Sequence, residues 1–474
     1  MVAAEIYQTI RELIKDPQSL INYVENYLLR ASNAPYITKE LNNDYTKLIT
    51  NSELGSAELS INHDIRIRGH GKAKNLLNAL VLRYLGTDGS RKITILLMRR
   101  GSRVYRVSDL PKLQSLPLGL ISLVLTSLII MSLIIAVLRI TSILPPIHVI
   151  VALLLAPLLI PIIYSYIIQV RIRHGDLRNS QIIKFVLEYN DFDDTRFNNA
   201  LRLLARIESS RSLDEIRRFV LSLVGNPGTS PRNYYEEIID MDTIMNKLGT
   251  KNYGIYLVNM NQCNAASIGL PGINYVILTS RLISCLNERE LMAVIMHEVG
   301  HIMHGDSAKT LFLISLAQLV NIALITYVIP IMRLPAIPIL ITAILIELLT
   351  ITLTMKLSEY AADKYAMRFV QGKDLATALI KVAWRELHNE LTSGKIKKLR
   401  TFNTHPTVSA RLIRIIPQNA PFPSFGFGIS RHRSAPYAVG PTAPSSGYHL
   451  VTAHGAGSKP TPSPALYLRK RDKT

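Results

Sequence analysis

The stretch "LMAVIMHEVGHIMHGDS", residues 291–307, holds His297, Glu298 and His301 in the order H-E-x-x-H. On a helix, residues four apart share a face one turn apart. Two imidazoles so placed can grip one metal ion, with Glu298 beside them to take a proton from water. The same letters suit an apolar core helix with incidental histidines, because the pattern is short. A third ligand and a fitting environment decide between the two. The helix itself is well announced: Asn287 suits an N-cap, and Glu288 and Glu290 stand in the first turn.

Three residues compete for the third position. A histidine six places after His301 would complete one familiar spacing, but Ser307 stands there and that option fails. His304 is near in sequence and would have to bend back at i+3. Glu359, in "KLSEYAADKYAM", forms E-x-x-x-D with Asp363 on one helical face. Glu359 would ligate, and Asp363 would accept a hydrogen bond from a ligating histidine and fix its ring. His304 stays open as the alternative.

The surroundings are those of a membrane protein. The 474 residues are 48% hydrophobic with a mean hydropathy of +0.20, yet the formal net charge is +20. Apolar blocks separated by basic flanks produce that combination. A bilayer core of about 30 Å takes about 20 apolar residues in a helix. Four stretches qualify: 116–138, 147–168, 311–332 and 336–355, the second with Pro157 and Pro161 and so an expected kink. Arg99, Arg100, Arg103 and Arg106 precede the first, Arg171, Arg173 and Arg178 follow the second, and Lys356, Lys364 and Arg368 follow the fourth. Basic flanks mark the cytoplasmic side, so both termini and residues 171–310 are expected there, in a multi-pass protein of the cell membrane. That topology returns Glu359 to the side of His297. Glu347 lies inside the fourth stretch, where an ionisable group is costly.

The charge is accounted for by topology and by contact with the lipid bilayer. No aromatic-basic motif supports a nucleic-acid partner. Cys263 and Cys285 are too few for a disulfide framework and read as plain thiols. Glu5, Arg11, Glu12 and Lys15 interrupt the N-terminal stretch where an export signal needs an apolar run, so the first span is expected to direct targeting.

Along the chain, 1–112 reads as an α+β cytoplasmic accessory module, with strands in "AELSINHDIRIRG", "KITILLMRR" and "SRVYRVS" and a helix in "AKNLLNALVLRYL". Residues 116–170 hold the first two spans. Residues 171–310 carry helices over 178–225, a strand at "YGIYLVN", a Gly/Pro turn between extended runs at "NAASIGLPGINYVILTS", and the H-E-x-x-H helix. The second pair of spans occupies 311–356, and 357–416 completes the domain. The tail, 417–474, is rich in Pro, Gly and Ser and is expected to be disordered.

Taken in order, N-A-x-x-x-G-x-P (Asn264–Pro271), the motif segment Glu290–Asp306, a two-span hairpin, Glu359–Asp363 and H-P-x-x-x-x-R (His405–Arg411) resemble the HtpX family of membrane zinc metalloproteases, whose relatives include the CAAX prenyl protease. The likeness covers about residues 116–416. It implies a mainly α membrane protein: four transmembrane helices, a cytoplasmic gluzincin-type α+β zinc protease domain and the N-terminal α+β module. It further implies one zinc ion per chain held by His297, His301 and Glu359, with Glu298 as general base and Asp363 behind the ligands. Asn264 and Ala265 would belong to an edge strand that pairs with an extended polypeptide substrate. His405 and Arg411 would stand at the cleft, to steady an oxyanion or to orient Glu359. "NAAS" lacks the aromatic common after Asn-Ala in the family, and Thr407 replaces a frequent second proline. The activity implied is endoproteolysis of membrane or membrane-proximal proteins on the cytoplasmic side, in quality control. The competing readings are a prenyl-protein endopeptidase and a non-catalytic zinc-stabilised scaffold or sensor.

Overall fold

In the computed structural model of the chain, the described residues lie mostly within 10–113, 147–392 and 405–416. The chain divides into two units, Met1–Pro417 and Gln418–Thr474, and the second lies outside the described residues, as does the first expected span at 116–138.

Helix α1 (Pro17–Arg30) precedes an antiparallel four-stranded sheet of β1 (Tyr36–Leu41), β2 (Thr46–Ser52), β3 (Gly55–Ile61) and β4 (Ile65–Gly69), paired in sequence order. In β4, Ile65 and Ile67 are buried while Arg66 and Arg68 are exposed, the period-two pattern of a half-buried strand. Helix α2 (Gly71–Thr87) covers β3 and β4 with Leu77, Leu80 and Val81. The expected strands here are present; β1 and β2 are additions to the sequence reading.

Next come β5 (Ser90–Arg100), β6 (Arg103–Arg106), α3 (Ile147–Ile172), β7 (Gln181–Asn190), α4 (Asp194–Leu204), α5 (Leu213–Gly225), β8 (Asn233–Asp240) and α6 (Met241–Lys247). The expectation of helix throughout 178–225 is corrected at β7, a central strand between β5 and β8. Residues 182–187 are all buried, so both faces are covered and "QIIKFVLEYN" shows no alternation. A short continuous apolar run carries no period that separates strand from helix. The β5–β7 ladder runs antiparallel from Ser90–Asn190 to Arg99–Gln181. A sheet therefore crosses the expected boundary at 112, and one core joins Leu20 and Leu77 to Leu291, Ile295 and Leu375.

The third sheet has the order β10-β11-β9: β9 (Gly254–Val258) parallel to β11 (Ile273–Thr279), and β10 (Ala265–Leu270) antiparallel to it. The β10–β11 hairpin turns at Pro271 and Gly272, whose φ of 77° lies in the left-handed region that glycine enters at no steric cost. This leaves β10 at a sheet edge. Then follow α7 (Ser280–Cys285), α8 (Glu288–Met303), α9 (Asp306–Ala323), α10 (Ile329–Met332), α11 (Ala336–Ala366), α12 (Gly372–Val382), α13 (Trp384–Thr392) and α14 (Val408–Ile415). Helix α8 packs against β10, α11 and α12, while α9 packs against α3 and α11.

Among the described residues one helix, Ile341–Ala366, is long and apolar enough to cross a membrane. Its exposed Leu345, Ile346, Leu349 and Leu353 are matched by Phe312, Leu316 and Leu319 on α9 and Ile163 and Ile167 on α3. Glu347 is not left alone there, since Asn321 of α9 donates to its Oε2 at 3.1 Å.

Candidate metal centre

Helix α8 begins in a capping box. The Asn287 side chain accepts from the Glu290 N–H at 2.9 Å, and the Glu290 carboxylate accepts from the Asn287 N–H at 2.9 Å. Lys381 of α12 donates to Glu290 at 2.9 Å, and Lys184 of β7 donates to the Leu286 carbonyl at 2.7 Å and to Glu237 at 2.6 Å. Burial lowers the Lys184 pKa, and the Glu237 carboxylate opposes the fall. The helix start is thus tied to two neighbouring elements before the motif is reached.

Two glycines set how closely other elements approach. A Cβ on Gly300 would lie 3.0 Å from the Ala362 Cα of α11, and one on Gly269 would lie 3.0 Å from the Ile302 Cα of α8. Bare backbone at these points lets α11 and β10 press on the motif helix from two sides.

Among the described residues, His297, His301 and Glu359 offer ligand atoms within 4.8 Å of one another. The two Nε2 atoms are 3.2 Å apart; Glu359 Oε2 is 3.5 Å from His297 Nε2, and Oε1 is 3.8 Å from His301 Nε2. Donors around a tetrahedral zinc at about 2.0–2.2 Å stand about 3.3–3.6 Å apart, close to what these three show. The far side of each ring faces a carboxylate: His297 Nδ1 lies 3.0 Å from Asp363 Oδ1, and His301 Nδ1 lies 2.8 Å from Asp306 Oδ2. With Nδ1–H toward the carboxylate, each Nε2 lone pair turns to the common point. Two lone pairs and a carboxylate converging on one spot suit a cation, and the donor set suits zinc. Burial and the Arg411 charge oppose protonation of His297, but Asp363 and Glu359 outweigh them and push its pKa up to about 9.

Glu359 is held from behind. Arg411 Nη1 lies 2.9 Å from Oε2, and His405 Nδ1 lies 2.8 Å from Oε1. Arg411 also donates through Nε and Nη2 to Asp363 at 2.8 and 2.6 Å. Burial works against its charge, but Asp363 and Glu359 more than offset that and raise its pKa. His405 is half exposed, whereas Arg411 is nearly enclosed. The Thr407 hydroxyl accepts from the Ala410 N–H at 3.2 Å and so caps α14, which carries Arg411 to the site.

Glu298 meets β10 at Ser267, whose hydroxyl donates to Oε2 at 2.7 Å. At the start of that strand, Asn264 Oδ1 accepts from the Ala265 N–H at 2.9 Å. A cleft of about 1500 Å³ runs along this edge, lined among others by Asn264, Ser267, His297, Glu359, Trp384 and His405. All nine residues singled out in the sequence therefore lie in or directly behind one cleft. His304 does not join the cluster; it sits at the C-cap of α8, its ring edge-on to Tyr365 at 6.0 Å. Cys263 and Cys285 are free, half-buried thiols. Sequence reasoning gave no role to Asp306 or Ser267. Asp306 was visible only as the last letter of the motif, and Ser267 only as a polar residue two places along the strand from Ala265.

Residues 232–416 match the family described as Peptidase family M48. The chain is 29% identical to the protease HtpX homologue of Helicobacter acinonychis (strain Sheeba) over 33% of this chain and 58% of that protein. It is 30% identical to the HtpX homologue of Acidiphilium cryptum (strain JF-5) over 19% and 32%. The chain thus spans little more than half the length of the first relative and about a third of the second. Among solved structures, Ste24p of S. mikatae is similar at 20% identity and a TM-score of 0.29, covering 37% of this chain and 48% of that one. The sequence matches and the stretch they cover agree with the motifs assembled here: residues 232–416 match the M48 peptidase family, and over part of that stretch the chain is similar to HtpX homologues.

Proposed function

We propose that this protein is a membrane-embedded zinc endopeptidase that cleaves membrane or membrane-proximal polypeptides on the cytoplasmic side, in quality control. The observation that carries the reading is the convergence of His297, His301 and Glu359, with Glu298 next to His297 on the same helix and an open strand edge beside it. The M48 family is in general zinc-dependent, and the donor set fits that ion. Held by these three side chains, zinc would supply Lewis acidity toward a peptide carbonyl and a water.

The chain's own residues do the rest. Glu298 takes a proton from the attacking water and delivers it to the departing amine nitrogen. Strand β10, starting at Asn264 and Ala265, pairs with the extended substrate, so main-chain hydrogen bonds supply affinity without a sequence requirement. Arg411 and Asp363 position Glu359 and His297. His405, half exposed and lining the cleft, donates to the oxyanion that develops on the carbonyl oxygen. Four spans form two hairpins at 116–170 and 311–356, with 1–112, 171–310 and 357–416 together on the cytoplasmic side.

The test is Glu298→Gln in detergent-solubilised protein. Cleavage of casein is expected to vanish while metal analysis shows zinc retained; cleavage at the wild-type rate would sink the mechanism. Glu359→Ala should lower zinc content, and unchanged content would point to another third ligand.

A further inference from the structure

We propose that Ser267 is a positioning residue that holds Glu298 for proton transfer and ties its position to the arrival of substrate. The proposal rests on reading Glu298 as the general base. The β10–β11 pairing fixes which way each backbone group points. The Thr279 N–H donates to the Asn264 carbonyl at 3.3 Å, so Asn264 faces β11, and by alternation Ala266 and Ile268 do too. The main-chain groups of Ala265, Ser267 and Gly269 then point to the open edge.

Two of those three edge donors are already engaged. The Ala265 N–H is closed by Asn264 Oδ1 at 2.9 Å, and the Gly269 N–H by Ser307 Oγ at 3.4 Å. Among the described residues, the Ser267 N–H has no such side-chain cover. An extended peptide adding to this edge would meet Ser267 between two closed positions. The Ser267 side chain does different work: its hydroxyl donates to Glu298 Oε2 at 2.7 Å, the length of a charge-assisted O–H···O⁻ bond. One residue therefore presents its main chain to the incoming strand and its hydroxyl to the base. Anchoring Oε2 fixes the carboxylate rotamer and leaves Oε1 to face the water. Without the hydroxyl, the carboxylate samples rotamers in which neither oxygen faces the scissile bond, and the cost falls on turnover rather than on binding.

The experiment compares wild type, Ser267→Ala, Ser267→Thr and Glu298→Gln as zinc-loaded full-length protein in detergent. It measures kcat and KM on casein, zinc content, and the Kd of an uncleavable peptide. Binding is read from the fluorescence of Trp384, the chain's sole tryptophan, which lines the cleft. Ser267→Ala is expected to lower kcat about tenfold or more, with KM, peptide Kd and zinc content within about twofold of wild type. Ser267→Thr, which keeps the hydroxyl, should recover kcat to within about threefold. Wild-type kcat in Ser267→Ala overturns the proposal. So does a loss matched by lost zinc and not rescued by threonine, which would make Ser267 a packing residue. If Glu298→Gln is inactive and Ser267→Ala is not impaired, only this inference fails. If Glu298→Gln still cleaves, the proposed mechanism fails and this inference with it.

Discussion

At Arg411 one guanidinium serves two carboxylates on successive turns of α11, Asp363 through Nε and Nη2 and Glu359 through Nη1. A flat, five-donor fork can do this; a lysine ammonium cannot hold both at fixed angles. Arg411→Lys is therefore expected to weaken zinc binding about 10- to 100-fold with the fold retained, as competition with a chelator of known affinity would measure. Unchanged affinity would remove Arg411 from the support of the site. The same measurement on Asp306→Asn should move in the same direction, because His301 then loses the carboxylate that orients its ring. Residues that touch the metal point were legible in the sequence because helical spacing alone brings His297 and His301 together, and E-x-x-x-D does the same for Glu359 and Asp363. Asp306 was not, because it reaches His301 through the left-handed turn at Gly305, with φ of 63°, which no helical spacing describes.

Helix α8 is where local and tertiary constraints meet. Its start depends on Glu290, which closes the capping box and pairs with Lys381. Glu290→Ala removes a buried acceptor from both partners, and a loss of about 1–3 kcal/mol is expected, seen as a lower midpoint of thermal unfolding. A midpoint equal to wild type would mean that Glu237 and Lys184 hold the helix start unaided. Farther along, Gly300→Ala would drive a Cβ to 3.0 Å from the Ala362 Cα, where backbone cannot give way as a side-chain tip can. The separation of α8 from α11 should grow, costing about 1–3 kcal/mol and weakening zinc binding along with stability. Caps and alternating strands such as β4 were readable because they are local. Strand β7 was not: with sheet neighbours on both edges and buried side chains on both faces, its identity comes from tertiary surroundings.

For the molecule as a whole, the metal point joins elements that are distant in sequence. Two of the three candidate donors come from α8 and the third from α11, so an ion held by all three would cross-link these helices, and only the folded chain could bind it so. Chelation should lower the thermal midpoint and added zinc should restore it; at free zinc 1,000-fold above its Kd the linkage amounts to about 4 kcal/mol. A midpoint indifferent to chelator would show that the three side chains are not the stabilising site. The β5–β7 ladder carries a further consequence, one of parity. Strands bonded residue against residue share one face of any bilayer, so whatever crosses between Arg100 and Gln181 crosses an even number of times. The contact of Glu359 with the α8 histidines imposes the same count on the chain between His301 and Glu359. Were the apolar part of Ile341–Ala366 to cross a bilayer, that parity would exclude a lone crossing and call for a second one within 304–340. Side-specific labels placed after Arg100 and after Asn190 should always agree with each other, whichever way round the protein sits.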